Sequence, residues 1–232
     1  ASAISLTPTL QTDMKRYDLM HNINTRGTFL VSKECLPYLK KSNHAHILNI
    51  SPPLSMKPHW FANHVAYTMA KYGMSMCVLG MAEELKSQNI AVNALWPQTA
   101  IHTAAMEMLS GDDSATYSRK PEIMADAAYA ILIKEPRSVT GNFLIDEKVL
   151  KEAGISDMIQ YACVPENANK LMADFFLDDI GVDALKPGTY DGSNKGEEAL
   201  EDGAIAMIFK KIQNHLTPEI IEKTDAIYQF EV

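Results

Sequence analysis

The sequence predicts an α/β fold built around a parallel β-sheet. Three short apolar runs, HILNI (46–50), IAVNALWP (90–97) and GNFLID (141–146), are typical of buried strands. Segments with helical periodicity, each longer than about ten residues, lie between these runs. Parallel neighbours need a crossover of that length, whereas antiparallel neighbours can be joined by a tight turn. The alternation therefore indicates βαβ units.

The first predicted element is a helix-rich segment over residues 12–40. Thr12 and Asp13 are residue types that commonly cap a helix N-terminus. Pro37 predicts a kink or an end near Leu39. Apolar and small residues recur at helical spacing through the segment, namely Met14, Tyr17, Met20, Ile23, Gly27, Leu30 and Val31.

The strand HILNI follows and is predicted to end at a Ser-Pro-Pro run (51–53), because proline cannot donate to a sheet ladder. A loop then carries Trp60 and Phe61 to a helix over residues 64–87. One face of that helix is apolar and comprises Met74, Cys77, Val78, Met81 and Leu85. The second strand, IAVNALWP, is stopped by its own proline, Pro97.

Residues 100–135 are predicted to be helical with a break at the Gly-Asp-Asp run 111–113, and GNFLID forms the third strand. These elements make up one domain over residues 1–155. Apolar periodicity then weakens while glycines and acidic residues accumulate, so residues 156–202 are predicted to be a linker. Residues 203–232 predict two further helices that begin another domain.

Composition excludes several classes of function. The net charge of −8 argues against nucleic acid or an anionic membrane as a general partner. Three cysteines without a CxxC motif fit a reducing compartment better than a disulfide or zinc scaffold. No stretch approaches the ~20 apolar residues of a membrane span, and no targeting signal is recognisable. Several histidines cluster in sequence, but their spacing matches no metal motif, so no metal site is expected.

Tyr67 and Lys71 lie four residues apart, so on a helix their side chains share one face. A free phenol has a pKa of about 10 and is a poor proton shuttle at neutral pH. A nearby ammonium group lowers that pKa. A tyrosine tuned in this way can exchange a proton with an oxygen that changes between alcohol and carbonyl. Spacing alone leaves a second interpretation open, that of two neighbours on a solvated helix.

The larger pattern resembles the short-chain dehydrogenase/reductase family over residues 1 to about 150. HILNIS, YTMAKYG and IAVNALWP carry the resemblance in this order, together with TGNFLID and the Asn-x-x-Gly pattern of residues 24–27. Residues 203–232 resemble the first two helices of a sterol-carrier-protein-2-like domain. The resemblance implies the C-terminal half of a Rossmann-like doubly wound parallel sheet. A linker and the helical start of an α+β lipid-carrier domain would follow it.

The resemblance also implies roles for the matching residues. Tyr67 would donate or accept the proton, and Lys71 would lower its pKa and bind the cofactor ribose. Asn24 would hold a relay water through its backbone, although a helix-terminal hydrogen bond is the structural alternative. Ser51 or Ser55 would bind the substrate oxygen, and Ser51 is favoured because a strand end fixes it. The implied cofactor contacts are Tyr67, Lys71, Pro97, Ile101 and Thr103, although Gln98 stands where the family usually has glycine.

The implied activity is hydride transfer between NADP(H) and a hydroxyl or keto group of a small, lipid-like substrate. Lipid metabolism in peroxisomes or mitochondria is implied with it, as is a homo-oligomer that pairs through helices 12–40 and 67–87. Trp60 and Phe61 would border the substrate cleft.

The glycine-rich phosphate loop of the family does not occur among the eleven glycines of this sequence. We therefore expect the chain to represent a fragment without the nucleotide-binding half and most of the lipid-carrier domain. Such a fragment would be marginally stable and would bind dinucleotides weakly, because the edge of its sheet is uncovered. The alternative function is that of a catalytically inactive truncated form, acting, if at all, as a binding or regulatory protein.

Overall fold

The computed structural model describes residues 2–178. Its helices are α1 (Met14–Met20), α2 (Gly27–Leu39), α3 (Val65–Leu85), α4 (Ala104–Ser110), α5 (Glu122–Leu132) and α6 (Asp146–Glu152), with a π-helical segment, His21–Arg26, joining α1 to α2. The strands are β1 (Ala45–Ile50), β2 (Ile90–Trp96) and β3 (Phe143–Ile145). Short 3₁₀ turns span Thr9–Gln11, Pro58–Trp60, Lys86–Gln88, Asp112–Tyr117, Pro136–Ser138, Ile159–Tyr161 and Pro165–Asn167.

The three strands form a parallel sheet in the order β1-β2-β3. Ala45 pairs with Ile90 at the start of the β1–β2 register, and Ala94 pairs with Phe143 at the start of the β2–β3 register. Each crossover contains a helix, as is usual for connections between parallel strands. The predicted α/β class and parallel sheet are therefore confirmed.

Helices cover both faces of the sheet, because successive strand residues point to opposite faces. On one face α2 and α3 bury Leu39, Val78 and Leu85 against Ile47 and Val92. On the other face α5 and α6 pack against the other alternate strand residues, with Ile123, Ile131, Leu150 and Leu95 fully buried. This two-sided packing is that of one half of a doubly wound Rossmann-like sheet.

Pro37 lies inside α2 without ending it, and α2 closes at Leu39 as predicted. The predicted break at residues 111–113 is also found: α4 ends at Ser110, and Gly111 has a φ of +77° that glycine adopts without strain. A 3₁₀ turn then replaces helix as far as Tyr117.

The folded unit extends beyond residue 155, where the sequence predicted a linker to begin. Residues 159–163 pair with residues 118–120 through bonds such as Lys120 N–H to the Tyr161 carbonyl at 2.7 Å. Residues 171–178 pack across the carboxyl ends of β1 and β2. The predicted linker residues 179–202 and the predicted helices of residues 203–232 lie outside the described residues, so the domain boundaries beyond Asp178 stay predictions.

Candidate active site

Tyr67 and Lys71 lie on the buried side of α3, close to the carboxyl edge of the sheet. Their relative exposures are 6% and 2%, so the solvated-helix interpretation is wrong for this part of the chain. Lys71 Nζ donates to the carbonyl of Ile50, the last residue of β1, at 3.1 Å. The same ammonium lies 5.0 Å from the ring centroid of Trp96, the last residue of β2. A buried ammonium is thus fixed one helical turn from the phenol.

Ser51 and Ser55 have different surroundings. Ser51 directly follows β1, is fully buried, and its Oγ has no hydrogen-bond partner among residues 2–178. The Ser55 side chain accepts from the Lys57 N–H at 3.3 Å and also hydrogen-bonds Asp178. The Ser55 backbone N–H donates to the Tyr72 hydroxyl at 3.3 Å. The hydroxyl of Ser51 is therefore the one whose bonding capacity remains for a ligand oxygen.

Asn24 lies in the π-helical segment and is fully buried. Its Oδ1 accepts from the Ala3 N–H and its Nδ2 donates to the Ala3 carbonyl, both at 2.9 Å. The side chain therefore forms a long-range pair with residues before α1. The Asn24 backbone carbonyl accepts from the Gly27 N–H where the π-helical segment ends, which is a helix-terminal hydrogen bond. Residues 2–8 form no assigned strand in this structure.

The predicted nicotinamide contacts lie on the loop that follows β2. Pro97 is buried there, and Ile101 pairs with Arg119. Thr103 Oγ1 caps α4 by accepting from the Met106 N–H at 3.3 Å. A residue that sequence reasoning missed, Thr99, has a buried hydroxyl without a partner among the described residues. It immediately follows Gln98, which stands where the family has glycine, so the local pattern offered only a weak signal.

Residues 171–178, which we call the strap, cross this same loop. The Ala100 N–H donates to the Met172 carbonyl at 2.8 Å, and the Asp174 N–H donates to the Gln98 carbonyl at 3.1 Å. Thr99 and Ala173 form an antiparallel bridge between these two bonds. Sequence reasoning missed the strap because one short segment without periodicity carries no local sign of what it pairs with.

Aromatic side chains fix the strap against the site. Phe176 is 1% exposed, and its ring centroid lies 6.3 Å from that of Tyr67 and 6.1 Å from that of Trp96. Its φ of +66° is rarely adopted by a bulky residue, and a conformation of this kind persists only where surrounding contacts over-determine it. The indole N–H of Trp60 donates to Asp178 Oδ1 at 2.8 Å.

Two aspartates, Asp146 and Asp174, flank Gln98 at the carboxyl edge of the sheet. Asp146, at the start of α6, accepts from the Gln98 N–H at 2.9 Å and the Glu147 N–H at 2.7 Å. Burial raises the pKa of Asp146 to about 6. The pKa of Asp174 is raised to about 7, chiefly by burial and also by the neighbouring Asp146, while the Phe175 N–H and the Lys71 ammonium act to lower it. Burial lowers the pKa of His64, whose Nδ1 lies 2.9 Å from Thr68 Oγ1, so its imidazole is neutral at pH 7.

The clustered histidines serve separate structural contacts. His44 and His46 donate to the carbonyls of Leu132 and Lys134 at 2.7 Å and 2.9 Å. Across residues 2–178 no group of three or more His, Cys, Asp or Glu side chains could hold a metal ion. Over the same residues no helix has the length and apolar character to cross a membrane.

A buried Tyr-x-x-x-Lys helix, a serine after the preceding strand and a proline loop after the next one define a class of oxidoreductase. The family profile described as "Enoyl-(Acyl carrier protein) reductase" matches residues 1–144. The chain belongs to the short-chain dehydrogenase/reductase family.

The sequence is similar to hydroxysteroid dehydrogenase-like protein 2. It is 54% identical to the protein of that name from Homo sapiens over 240 residues, which cover 100% of this chain and 56% of the human protein. The chain therefore spans little more than half the length of this relative.

Two solved structures are similar in fold and sequence. A putative dehydrogenase from Xanthomonas campestris has a TM-score of 0.73 and 50% identity, covering 77% of this chain and 65% of that one. A short chain dehydrogenase from Mycobacterium thermoresistibile has a TM-score of 0.71 and 45% identity, covering 82% and 65%. The Rossmann-like assignment made from sequence is confirmed.

Proposed function

We propose that this chain supplies the catalytic half of an oxidoreductase that transfers hydride between NADP(H) and a hydroxyl or keto group of a lipid-like substrate. The observation that carries the proposal is the Lys71 ammonium, which is held at the ends of β1 and β2 one helical turn from Tyr67. A fixed positive charge favours the phenolate, so the tyrosine can give or take a proton near neutral pH.

Each predicted catalytic residue has a separate task in this proposal. Tyr67 exchanges the proton with the substrate oxygen. The Ser51 hydroxyl binds that oxygen, which is supported by its burial and by the absence of another partner among the described residues. Asn24 keeps its predicted relay role through its backbone, while its side chain is committed to Ala3.

The residues after β2 fit the nicotinamide end of the proposed cofactor. Pro97 and Ile101 provide an apolar border, and the unpartnered Thr99 hydroxyl is a group that an amide could satisfy. The hydroxyl of Thr103 is committed to capping α4, which leaves Thr99 as the better-placed polar contact. The cofactor supplies or accepts the hydride when it is bound. Among nicotinamide cofactors, the choice of NADP rests on the family resemblance.

The apolar surroundings of Tyr67 support a lipid-like substrate. Trp60 and Phe61 belong to the same hydrophobic cluster as Tyr67 and Trp96, and they come from the loop predicted to border the cleft. The name of the similar protein, hydroxysteroid dehydrogenase-like protein 2, fits a substrate of this kind. The setting of lipid metabolism in peroxisomes or mitochondria, and a second, lipid-carrying domain from residue 203, rest on the family resemblance alone.

We also propose a homo-oligomer that pairs through α2 and α3, the helices of the predicted segments 12–40 and 67–87. Both helices expose large apolar side chains. Phe29 is 54% exposed on α2, and Met76 and Leu79 are 57% and 55% exposed on α3. Exposed apolar side chains commonly mark an interface where they form one contiguous patch.

The proposal is tested by Tyr67→Phe in the whole protein, following NADPH oxidation with acyl, steroid and retinoid carbonyls. We expect the turnover rate to fall by at least about 100-fold, the usual contribution of a positioned acid. Tyr129→Phe is the matched control, because Tyr129 lies on α5 and is 69% exposed. If Tyr67→Phe turns over at the unaltered rate, Tyr67 is not the proton donor and the proposed function fails.

A second comparison separates the two serines. Ser51→Ala should lower turnover strongly, whereas Ser55→Ala should change it little because its side chain already bonds Lys57 and Asp178. The opposite ranking would move the substrate contact to Ser55.

The alternative, a catalytically inactive truncated form, is favoured by one observation. The sequence contains no glycine-rich phosphate motif. Oxidation of NADPH by the whole protein distinguishes the two functions, whereas weak NADPH binding by the 232-residue chain is expected under both.

A further inference from the structure

The strap brings a carboxyl group to the candidate active site. Backbone bonds to Gln98 and Ala100 hold Asp174 over the end of β2. The next residue is held as well, because the Trp96 indole N–H donates to the Phe175 carbonyl at 2.9 Å. Asp174 Oδ1 accepts from the Phe175 N–H at 2.7 Å. These bonds anchor Asp174 from both sides.

Lys71 and Phe175, the residue after Asp174, contact the same tryptophan, Trp96. Lys71 Nζ lies over the Trp96 ring at 5.0 Å, and the strap is bonded to the edge of that ring. The ammonium and the strap therefore lie on the same indole, and the nearby Lys71 charge lowers the pKa of the Asp174 carboxyl. A third charge, the carboxyl of Asp146, repels Asp174 from the other side of Gln98.

We propose that Asp174 is a positioning residue for the Tyr67–Lys71 pair: its carboxylate offsets the charge of Lys71 and thereby sets the pH at which Tyr67 exchanges its proton. This inference rests on the proposed function. An anion beside the ammonium makes the phenolate less favourable, so Asp174 holds the pKa of Tyr67 higher than Lys71 alone would.

Among residues 2–178, the other titratable groups that face the site from neighbouring elements have partners of their own. On α3, Lys71 is held by the Ile50 carbonyl. At the start of α6, Asp146 faces Arg119 and Glu147, which pair with each other. The neutral imidazole of His64 lies with its ring centroid 6.4 Å from that of Tyr67. Asp178, at the far end of the strap, bonds Trp60 and pairs with Lys57 at 3.2 Å.

The test is the pH dependence of turnover in the whole protein carrying Asp174→Asn. Removing the anion should move the Tyr67-dependent limb to lower pH by about one pH unit, as expected for one nearby charge. Asp178→Asn removes the same charge from the same strap, but at an exposed site screened by solvent, so it should move the limb by less than about 0.2 units. An unmoved limb in Asp174→Asn overturns the inference.

If Asp174→Asn fails to fold, a measurement that needs no turnover still tests the inference. The carboxyl carbon of Asp174 is titrated by NMR in the unaltered protein and in Lys71→Met. The Asp174 titration should move to higher pH when the ammonium is removed, and an identical titration in both proteins overturns the inference. If Tyr67→Phe retains turnover, the proposed function fails instead, whatever Asp174 does.

Discussion

Gly73 lets α3 approach the π-helical segment, and Gly73→Ala should therefore destabilise the protein. A Cβ at Gly73 would lie 2.4 Å from Thr25 Oγ1 and 2.6 Å from Thr25 Cγ2. Thr25 cannot move away cheaply, because its hydroxyl donates to the Ala70 carbonyl at 2.9 Å. The clash is close to the candidate catalytic residues. On α3, Gly73 lies two residues after Lys71, and on the π-helical segment Thr25 directly follows Asn24.

Three effects set the change in the free energy of unfolding, one that stabilises the variant and two that destabilise it. Alanine is more favourable than glycine in a helix by about 1 kcal/mol. Overpacking costs roughly 1–3 kcal/mol, and loss of the Thr25 hydrogen bond costs about 1 kcal/mol. The net loss in the free energy of unfolding is therefore about 1–3 kcal/mol. Gly80→Ala, on the same helix with nothing within 4 Å of the new Cβ, should instead gain up to about 1 kcal/mol.

The assay is urea unfolding followed by tryptophan fluorescence. Both tryptophans of the chain, Trp60 and Trp96, lie in the aromatic cluster beside Tyr67, so the signal reports on the site. Thr25→Ala/Gly73→Ala removes the clashing atoms and should recover part of the loss. The reasoning is refuted if Gly73→Ala and Gly80→Ala change the midpoint alike, or if removing the Thr25 side chain gives no recovery.

Three further outcomes are expected. Asp146→Asn should be more stable than the unaltered protein at pH 8 by up to about 3 kcal/mol, with the gap closing by pH 4. The pKa of Asp146 in the folded protein, about 6, exceeds the ordinary value of 3.8, so the unaltered protein loses stability as the pH rises from about 4 to about 6. Thermal melts in which the two proteins differ by the same amount at every pH would contradict this. Arg119→Met should cost about 3 kcal/mol in urea by leaving the buried Glu147 carboxylate to Lys151 alone, and the double variant Arg119→Met/Glu147→Met should recover most of it. The 232-residue chain should show no micromolar affinity for NADPH by calorimetry; micromolar binding would contradict the expectation from the missing phosphate motif.

The regular elements were predictable because their signals are local. The apolar runs that became β1, β2 and β3 are bounded by proline or glycine. Tyr67 and Lys71 could be placed together because four residues make one helical turn.

The strap was not predictable for a physical reason. Residues 171–178 are held by a backbone ladder to the loop after β2 and by rings from three distant segments. None of these contacts produces a periodic pattern in the strap itself, so the sequence predicts a linker there. The two buried hydroxyls left without partners, Ser51 and Thr99, likewise depend on tertiary burial.

The side-chain amide of Asn24 bonds the backbone of Ala3 in the way that a neighbouring strand would. It presents one acceptor and one donor to Ala3 in the spacing that a neighbouring backbone would offer. A shift of the N-terminal segment by a single residue would break both bonds at once, since successive peptide groups in an extended chain point in opposite directions. The Asn24 side chain thus fixes the register of the extended segment around Ala3. The position of that segment therefore depends on the same helical turn that packs against Gly73.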